Sequence, residues 1–199
     1  MNLYTISIFL ITYLICSISP SIEICKIKKG EDIRNLGSRN AGTTNAIRVM
    51  GKFWGIVVFL LDILKVFISY GIIYFIGKTF NQDINVTLKS IFIVAATLGH
   101  CYPIYYSFKG GKGVAVTLAA SFILDYKVAL VCLIVGILLI IITRMVSIGS
   151  VGGIILFVII TFVMNKEYII PNIIVSIIIL LKHRTNIIRI MQGKENKIY

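Results

Sequence analysis

The stretch "FWGIVVFLLDILKVFISYGIIYFIG", residues 53–77, contains two charged side chains, Asp62 and Lys65, in 25 residues. A helix that crosses a bilayer needs ~20 mostly apolar residues, and this run supplies them. The two charges are three residues apart, one helical turn, so they can pair within the helix. Intramembrane charge is a functional candidate by default; here mutual pairing with a structural role is the better reading. Six further apolar segments lie outside this one, at about 3–22, 87–100, 113–124, 127–143, 147–163 and 168–181. The pattern predicts an all-α integral membrane protein of about seven transmembrane helices, some short or partial, forming a single domain over 1–199.

Composition agrees. Hydrophobic residues make up 58% of the chain and mean hydropathy is +0.95, whereas soluble domains run at roughly 45–50% apolar. The first apolar run, Leu3 to Ile18, lacks a basic leader and a small-residue cleavage site, so no cleavable signal peptide is expected. Cys16, Cys25, Cys101 and Cys132 form no CxxC pair, and neither a metal site nor structural disulfides are expected. The net charge of +12 comes from 20 Lys and Arg against 8 Asp and Glu. It is scattered over short loops, which fits anionic lipid or an anionic substrate and not nucleic acid.

The cations also fix sidedness. With the N-terminus outside, fifteen of the 20 lie inside, in 26–52, 109–112, 144 and 182–197. Lys78, Lys89, Lys127 and Lys166 lie outside, and Lys65 is within a span. The positive-inside rule therefore predicts an external N-terminus and a cytoplasmic C-terminus. Every polar or glycine-rich segment then falls on the cytoplasmic side.

Three of those segments carry chemistry. The first is "GSRNAGTTNAIRVMGK", 37–52. Ser38, Thr43 and Asn45 offer hydroxyl and amide groups, Gly42 lets backbone approach a ligand, and Arg48 offers a fork; together these are what a phosphate requires. No carboxylate lies between 33 and 61. The second is "SFKGGKGVAV", 107–116. It is not a nucleotide P-loop, because Tyr106 and Gly113 stand where that motif needs Gly and Ser or Thr. Gly110, Gly111 and Gly113 are expected to open backbone N–H groups just before a helix start, where anions are attracted, and Lys109 and Lys112 add charge. The third is "KHRTNIIRIMQGKE", 182–195. His183, Asn186 and Arg189 recur every three residues along one side of a helix. An amphipathic surface tail is the competing reading. Glu195 is expected to pair with a cation of the first loop. Ser147, at the cytoplasmic end of a span, is a weaker signal.

Taken together, "GSRNAGTTNAIR" (37–48), "GHCYPIYYSFKGGKGVA" (99–115) and "KHRTNIIRIMQGKE" (182–195) resemble the bacterial acyl-phosphate:glycerol-3-phosphate acyltransferase family, PlsY. The resemblance covers most of the chain. It implies a seven-helix enzyme in the cell membrane with a cytoplasm-facing site. The implied reaction is acyl transfer from a fatty acyl phosphate to the sn-1 hydroxyl of glycerol 3-phosphate. It implies no coenzyme A, acyl carrier protein, metal or other cofactor. It assigns phosphate binding to Ser38, Arg48 and the Gly110–Gly113 hairpin, site-lining positions to Lys109, Ser147, His183 and Asn186, the second-motif histidine to His100, and a structural role to Glu195. The sequence departs from the family at Val116, which pushes the hydroxyl of Thr117 one residue later, and at Glu23. The base that takes the hydroxyl proton is left among His100, His183 and the substrate's own phosphate. The phosphate is favoured because neither histidine has a carboxylate nearby in sequence. A transporter of phosphorylated molecules is the rival function; it would need polar groups through the bilayer, and these gather on one face.

Overall fold

The computed structural model describes residues 3–198, and no strand occurs among them. The chain divides into two compact units, Met1–Ala120 and Ser121–Tyr199. Helices α1 (Leu3–Cys16), α2 (Pro20–Lys29), α3 (Thr43–Met50), α4 (Lys52–Thr79) and α5 (Val86–Cys101) belong to the first. Helices α7 (Tyr126–Thr143), α8 (Val146–Met164), α9 (Ile169–Lys182) and α10 (Arg184–Met191) belong to the second, and α6 (Val114–Leu124) runs through the division.

All seven expected apolar segments are helical, but their lengths differ. Among the described residues, five stretches are long and apolar enough to cross a membrane: Leu3–Lys29, Lys52–Thr79, Val86–Tyr106, Tyr126–Thr143 and Val146–Met164. The other two, α6 and α9, have only 11 and 14 residues. The chain is a multi-pass membrane protein by this measure, with large apolar side chains such as Phe67, Ile142 and Phe162 on its outer surface.

The first span is not the single helix expected over 3–22. It breaks between Cys16 and Pro20 and resumes as far as Lys29. Proline has no N–H to donate and suits the first helical position, so Pro20 opens a new helix instead of extending the old one. A break leaves carbonyls unpaired, which is costly at membrane depth. One is met from the neighbouring helix, where the Lys65 ammonium of α4 donates to the Ile18 carbonyl at 2.8 Å. The α1 helix packs on α4 and α5, and the Tyr13 hydroxyl donates to the Tyr102 carbonyl at 2.8 Å where α5 ends.

A small core lies beneath the polar loop of the first unit. Ile22 and Cys25 of α2, Ile33, Ala41, Ala46 of α3 and Val58 of α4 form one buried cluster. The loop between α2 and α3 is thus anchored from below.

In the second unit α8 packs against both α7 and α9. Gly149 of α8 sits so close to α7 that a Cβ there would overlap Ile140 and lie 2.5 Å from the Gly136 carbonyl. Small residues at such crossings are how helices associate in lipid, where apolar burial alone gives no drive. The other end of these helices is closed by polar groups. Asn165 donates to Asp125 at 3.0 Å and Asn172 to the Thr161 hydroxyl at 2.9 Å. Burial pushes the Asp125 carboxyl up, but the bonds from Asn165 and from the Val128 and Lys127 N–H groups hold it below its usual value.

Candidate active site

The first unit builds its loops from the inside. Asn45 of α3 is fully buried. Its carbonyl oxygen accepts from the Ser38 N–H at 2.8 Å, and its amide donates to the Leu36 and Ile33 carbonyls at 3.0 and 3.3 Å. A side-chain amide has this one acceptor and two donors, and all are in use. Asn45 was expected to touch a ligand; instead it shapes the loop that presents Ser38. Gly37 is required beside it. It sits at φ +57°, and a Cβ would overlap the Asn45 carbonyl oxygen. Gly42 caps α3, with Thr43 at its first position.

Ser38, Arg48 and Lys109 are exposed, and neither Arg48 nor Lys109 pairs with a carboxylate among the described residues. Their charge is therefore open to an anion. Arg34, which the sequence did not single out, does pair. It forks onto Asp32, with Nη2 at 2.7 Å and Nε at 3.0 Å. Its remaining nitrogen donates to the Tyr106 and Lys109 carbonyls at 2.8 and 3.2 Å. One guanidinium thereby ties the Ser38 loop to the hairpin. The Arg34 hydrogen bond, against the opposing effect of burial, holds the Asp32 carboxyl below its usual value. The sequence signal was present in Asp-x-Arg, but its target lies more than 70 residues away.

The glycine hairpin differs from expectation in a definite way. The Gly110 and Gly111 N–H groups are not open: they donate to the Cys101 and His100 carbonyls at 3.2 and 3.1 Å. These glycines serve close approach. A Cβ on Gly110 would overlap the His100 carbonyl and lie 2.5 Å from the Pro103 ring, and one on Gly111 would overlap the His100 ring and lie 2.7 Å from the Ala41 carbonyl. The hairpin is thus pressed against the first loop and the end of α5. Gly113 takes φ +90°, and Lys112 is half-buried beside it. The Thr117 hydroxyl lies 2.7 Å from that of Thr97, so α6 is pinned to α5.

His100 is buried and has carboxylate company after all. Its Nδ1 lies 3.4 Å from Asp62 and 3.1 Å from the Lys65 ammonium, and Asp62 and Lys65 pair at 2.7 Å. No carboxylate stands near His100 in sequence, as read there; the one that meets it in space comes from α4, 38 positions earlier.

In the second unit Glu195 gathers the third motif. It accepts from Asn186 and from Arg189 Nε, both at 2.7 Å. Its cation is Arg189, not one from the first loop as expected. The sequence offered Arg189 at equal reach, and the tail folding back on α10 decides it. Burial raises the Glu195 carboxyl, but bonds from Arg189, Asn186 and Ser147 outweigh it and leave the group below its usual value. Ser147, buried in the first turn of α8, is the weakest of the three, close to the carboxylate but without full hydrogen-bond geometry. His183 is buried where α9 meets α10, with Nδ1 2.8 Å from the Ile179 carbonyl. The tail is tied down further by Ile198 N–H donating to the Arg144 carbonyl at 2.8 Å.

Apolar spans carrying loops of this kind define a multi-pass integral membrane protein with exposed, anion-ready cations. The glycerol-3-phosphate acyltransferase family model matches residues 6–193, and the chain belongs to that family. It is 37% identical to the glycerol-3-phosphate acyltransferase of Finegoldia magna, over 98% of this chain and 97% of that one. It is 36% identical to the same enzyme of Fusobacterium nucleatum, over 94% of each. Among solved structures it resembles PlsY, an integral membrane glycerol 3-phosphate acyltransferase. The glycerol 3-phosphate form matches with TM-score 0.86 and 36% identity, over 98% of this chain and 96% of that one. The lysophosphatidic acid form matches with TM-score 0.83 and 33% identity, over 98% and 95%.

Proposed function

We propose that this chain transfers a fatty acyl group from an acyl phosphate to the sn-1 hydroxyl of glycerol 3-phosphate. The products are 1-acylglycerol 3-phosphate, that is lysophosphatidic acid, and phosphate, and the reaction is the first step of phospholipid synthesis. The observation that carries this reading is likeness along nearly the whole chain to an enzyme solved with both glycerol 3-phosphate and lysophosphatidic acid. The first two motifs fall within the family match, and the third does so as far as Gly193.

The sn-1 oxygen attacks the acyl carbon, the bond from that carbon to the phosphate oxygen breaks, and phosphate leaves. An acyl phosphate is already activated, so the protein's work is to hold two anions and to neutralise developing charge. Arg48, Lys109 and Lys112 supply cations for this, and Ser38 supplies a hydroxyl. Gly42, Thr43 and the Gly110–Gly113 hairpin let these groups approach the phosphate. Ser147, His183, Asn186 and Arg189 serve the acceptor, with Glu195 fixing Asn186 and Arg189. Asn45 acts on substrate through Ser38. The proton goes to His100, to His183 or to the substrate's own phosphate.

The chain acts as a single membrane-embedded domain over 1–199, with seven membrane segments counting α6 and α9. Its N-terminus is outside and its site faces the cytoplasm of a bacterial cell membrane, a reading that the distribution of cations supports. The donor needs neither coenzyme A nor acyl carrier protein, and the chemistry needs no metal or other cofactor.

The test is phosphate release by the purified chain given palmitoyl phosphate, with and without glycerol 3-phosphate. Release that depends on glycerol 3-phosphate and yields a lysophospholipid supports the reading. Transfer from a palmitoyl thioester instead would overturn the donor. No transfer from any donor would favour a transporter, to be followed by flux into vesicles.

A further inference from the structure

The two histidines of this chain stand in opposite surroundings, and those surroundings decide where each ring carries its proton. A lysine ammonium has three N–H donors and no acceptor. Lys65 has three oxygen or nitrogen neighbours: Asp62 at 2.7 Å, the Ile18 carbonyl at 2.8 Å and His100 Nδ1 at 3.1 Å. The last two are hydrogen-bond contacts, and Asp62 is held as an ion pair. A proton on His100 Nδ1 would set two N–H donors against each other across 3.1 Å. The alternative is Nδ1–H donating to Asp62. That contact is longer, at 3.4 Å, and the same carboxylate oxygen already faces the Lys65 ammonium at 2.7 Å. A doubly protonated ring would put a second cation beside Lys65 with only Asp62 to balance both, at a buried site where uncompensated charge is costly.

His183 is the reverse. A carbonyl only accepts, so a ring nitrogen 2.8 Å from the Ile179 oxygen must donate to it. That puts the proton of the neutral ring on Nδ1 and leaves Nε2 as the acceptor nitrogen.

We propose that Lys65, itself oriented by Asp62, locks His100 as the Nε2–H tautomer, so that His100 serves the glycine hairpin as a hydrogen-bond donor and cannot be the base. His100 Nε2 lies against Gly111, where the Ala41 carbonyl also approaches, which is the junction of the two polar loops of the first unit. Lys65 and Asp62 are thus positioning residues, acting through His100. In its consequence for catalysis the inference rests on the proposed acyl transfer; in its statement about tautomers it does not.

The test exploits there being only two histidines. The full chain, labelled with 15N-histidine in lipid nanodiscs, gives one pair of ring-nitrogen signals per residue, and His183→Gln assigns them. The expected spectrum holds one Nε2–H ring, His100, and one Nδ1–H ring, His183. In Lys65→Met the His100 ring should turn to the Nδ1–H form, donating to Asp62, a change that a merely structural lysine would not cause. Finding His100 as Nδ1–H or as the imidazolium in the unsubstituted chain would overturn the proposal. So would an unchanged His100 tautomer in Lys65→Met. If that variant does not fold, the unsubstituted spectrum still decides. Kinetics provide the second readout. In His100→Gln the amide still offers an N–H near the Nε2 position, so turnover should stay within about tenfold, against the 10²–10⁴-fold expected for loss of a general base. A larger loss there would overturn the donor role. Because the spectrum needs no substrate, failure of the acyl-transfer reading and failure of this one are separable.

Discussion

Arg48 and Lys109 are exposed cations with no carboxylate partner among the described residues, which makes them the natural residues to test. Replacing either by Ala should lower kcat/KM for acyl transfer by about 10²–10³, the usual effect of removing one donor from developing charge. Thermal stability should hardly move, because exposed positions contribute little. A loss of activity that only tracked a loss of folding would remove both from the site. Glu195 gives a second test. Its carboxyl lies below its ordinary value of 4.5, so the folded state favours the charged form. That contribution is fully present above 4.5 and is lost as pH falls through the lowered value. Glu195→Gln should therefore be less stable than the parent at neutral pH and show a shallower fall on the acid side, read as midpoint temperature against pH. An unchanged acid slope would mean that Glu195 is not what links folding to pH. Residue chemistry was largely legible: the cations, the glycines and the third-motif spacing all stood out in the sequence. Partners were not, because Asp62–His100, Arg34–Lys109 and Asn45–Ser38 are fixed by how helices and loops meet.

At the level of elements, the glycine hairpin is the instructive case. Glycine read as freedom to greet a ligand is here glycine that admits a neighbouring backbone. Composition cannot separate the two, since both need a missing Cβ. The structure makes the distinction testable. Gly111→Ala must displace the His100 ring or the Ala41 carbonyl, and overpacking of this kind costs about 1–3 kcal/mol. Its midpoint temperature should drop along with its activity, unlike Arg48→Ala. An active Gly111→Ala protein of normal stability would show that the hairpin is not pressed against the first loop. The helix boundaries were read to within a residue or two for α5 to α9. The exception is the first span, where Pro20 sat in view but apolar flanks concealed the break. Nothing in the local sequence says that a lysine some 45 positions on will take the stranded carbonyl.

For the whole molecule, the positive-inside count yields an orientation that chemistry can check. The native cysteines are all buried, so a membrane-impermeant maleimide should meet little background. Tyr105→Cys, in the hairpin, should label only in inside-out vesicles, and Asp83→Cys, between α4 and α5, only in right-side-out ones. The converse pattern would turn the protein over and put its site on the wrong face. Fold class was legible because lipid imposes it through composition; sidedness is what the labelling decides. It was less informative on which helices span fully, since α6 and α9 are apolar enough but short.

The lysine that bridges the broken first span also constrains how this sequence can drift. Losing Lys65 alone strands a carboxylate and a carbonyl; losing Asp62 alone strands an ammonium. Each single step costs several kcal/mol, whereas exchanging both for apolar residues removes the buried charge altogether. The fold should accept the double change more readily than either single one, yet the double variant would no longer set the His100 proton. An apolar descendant is thus reachable in folding terms only by a two-step path through a damaged intermediate, and it arrives without the device. Relatives that keep a histidine at this place should inherit the two charges as one unit.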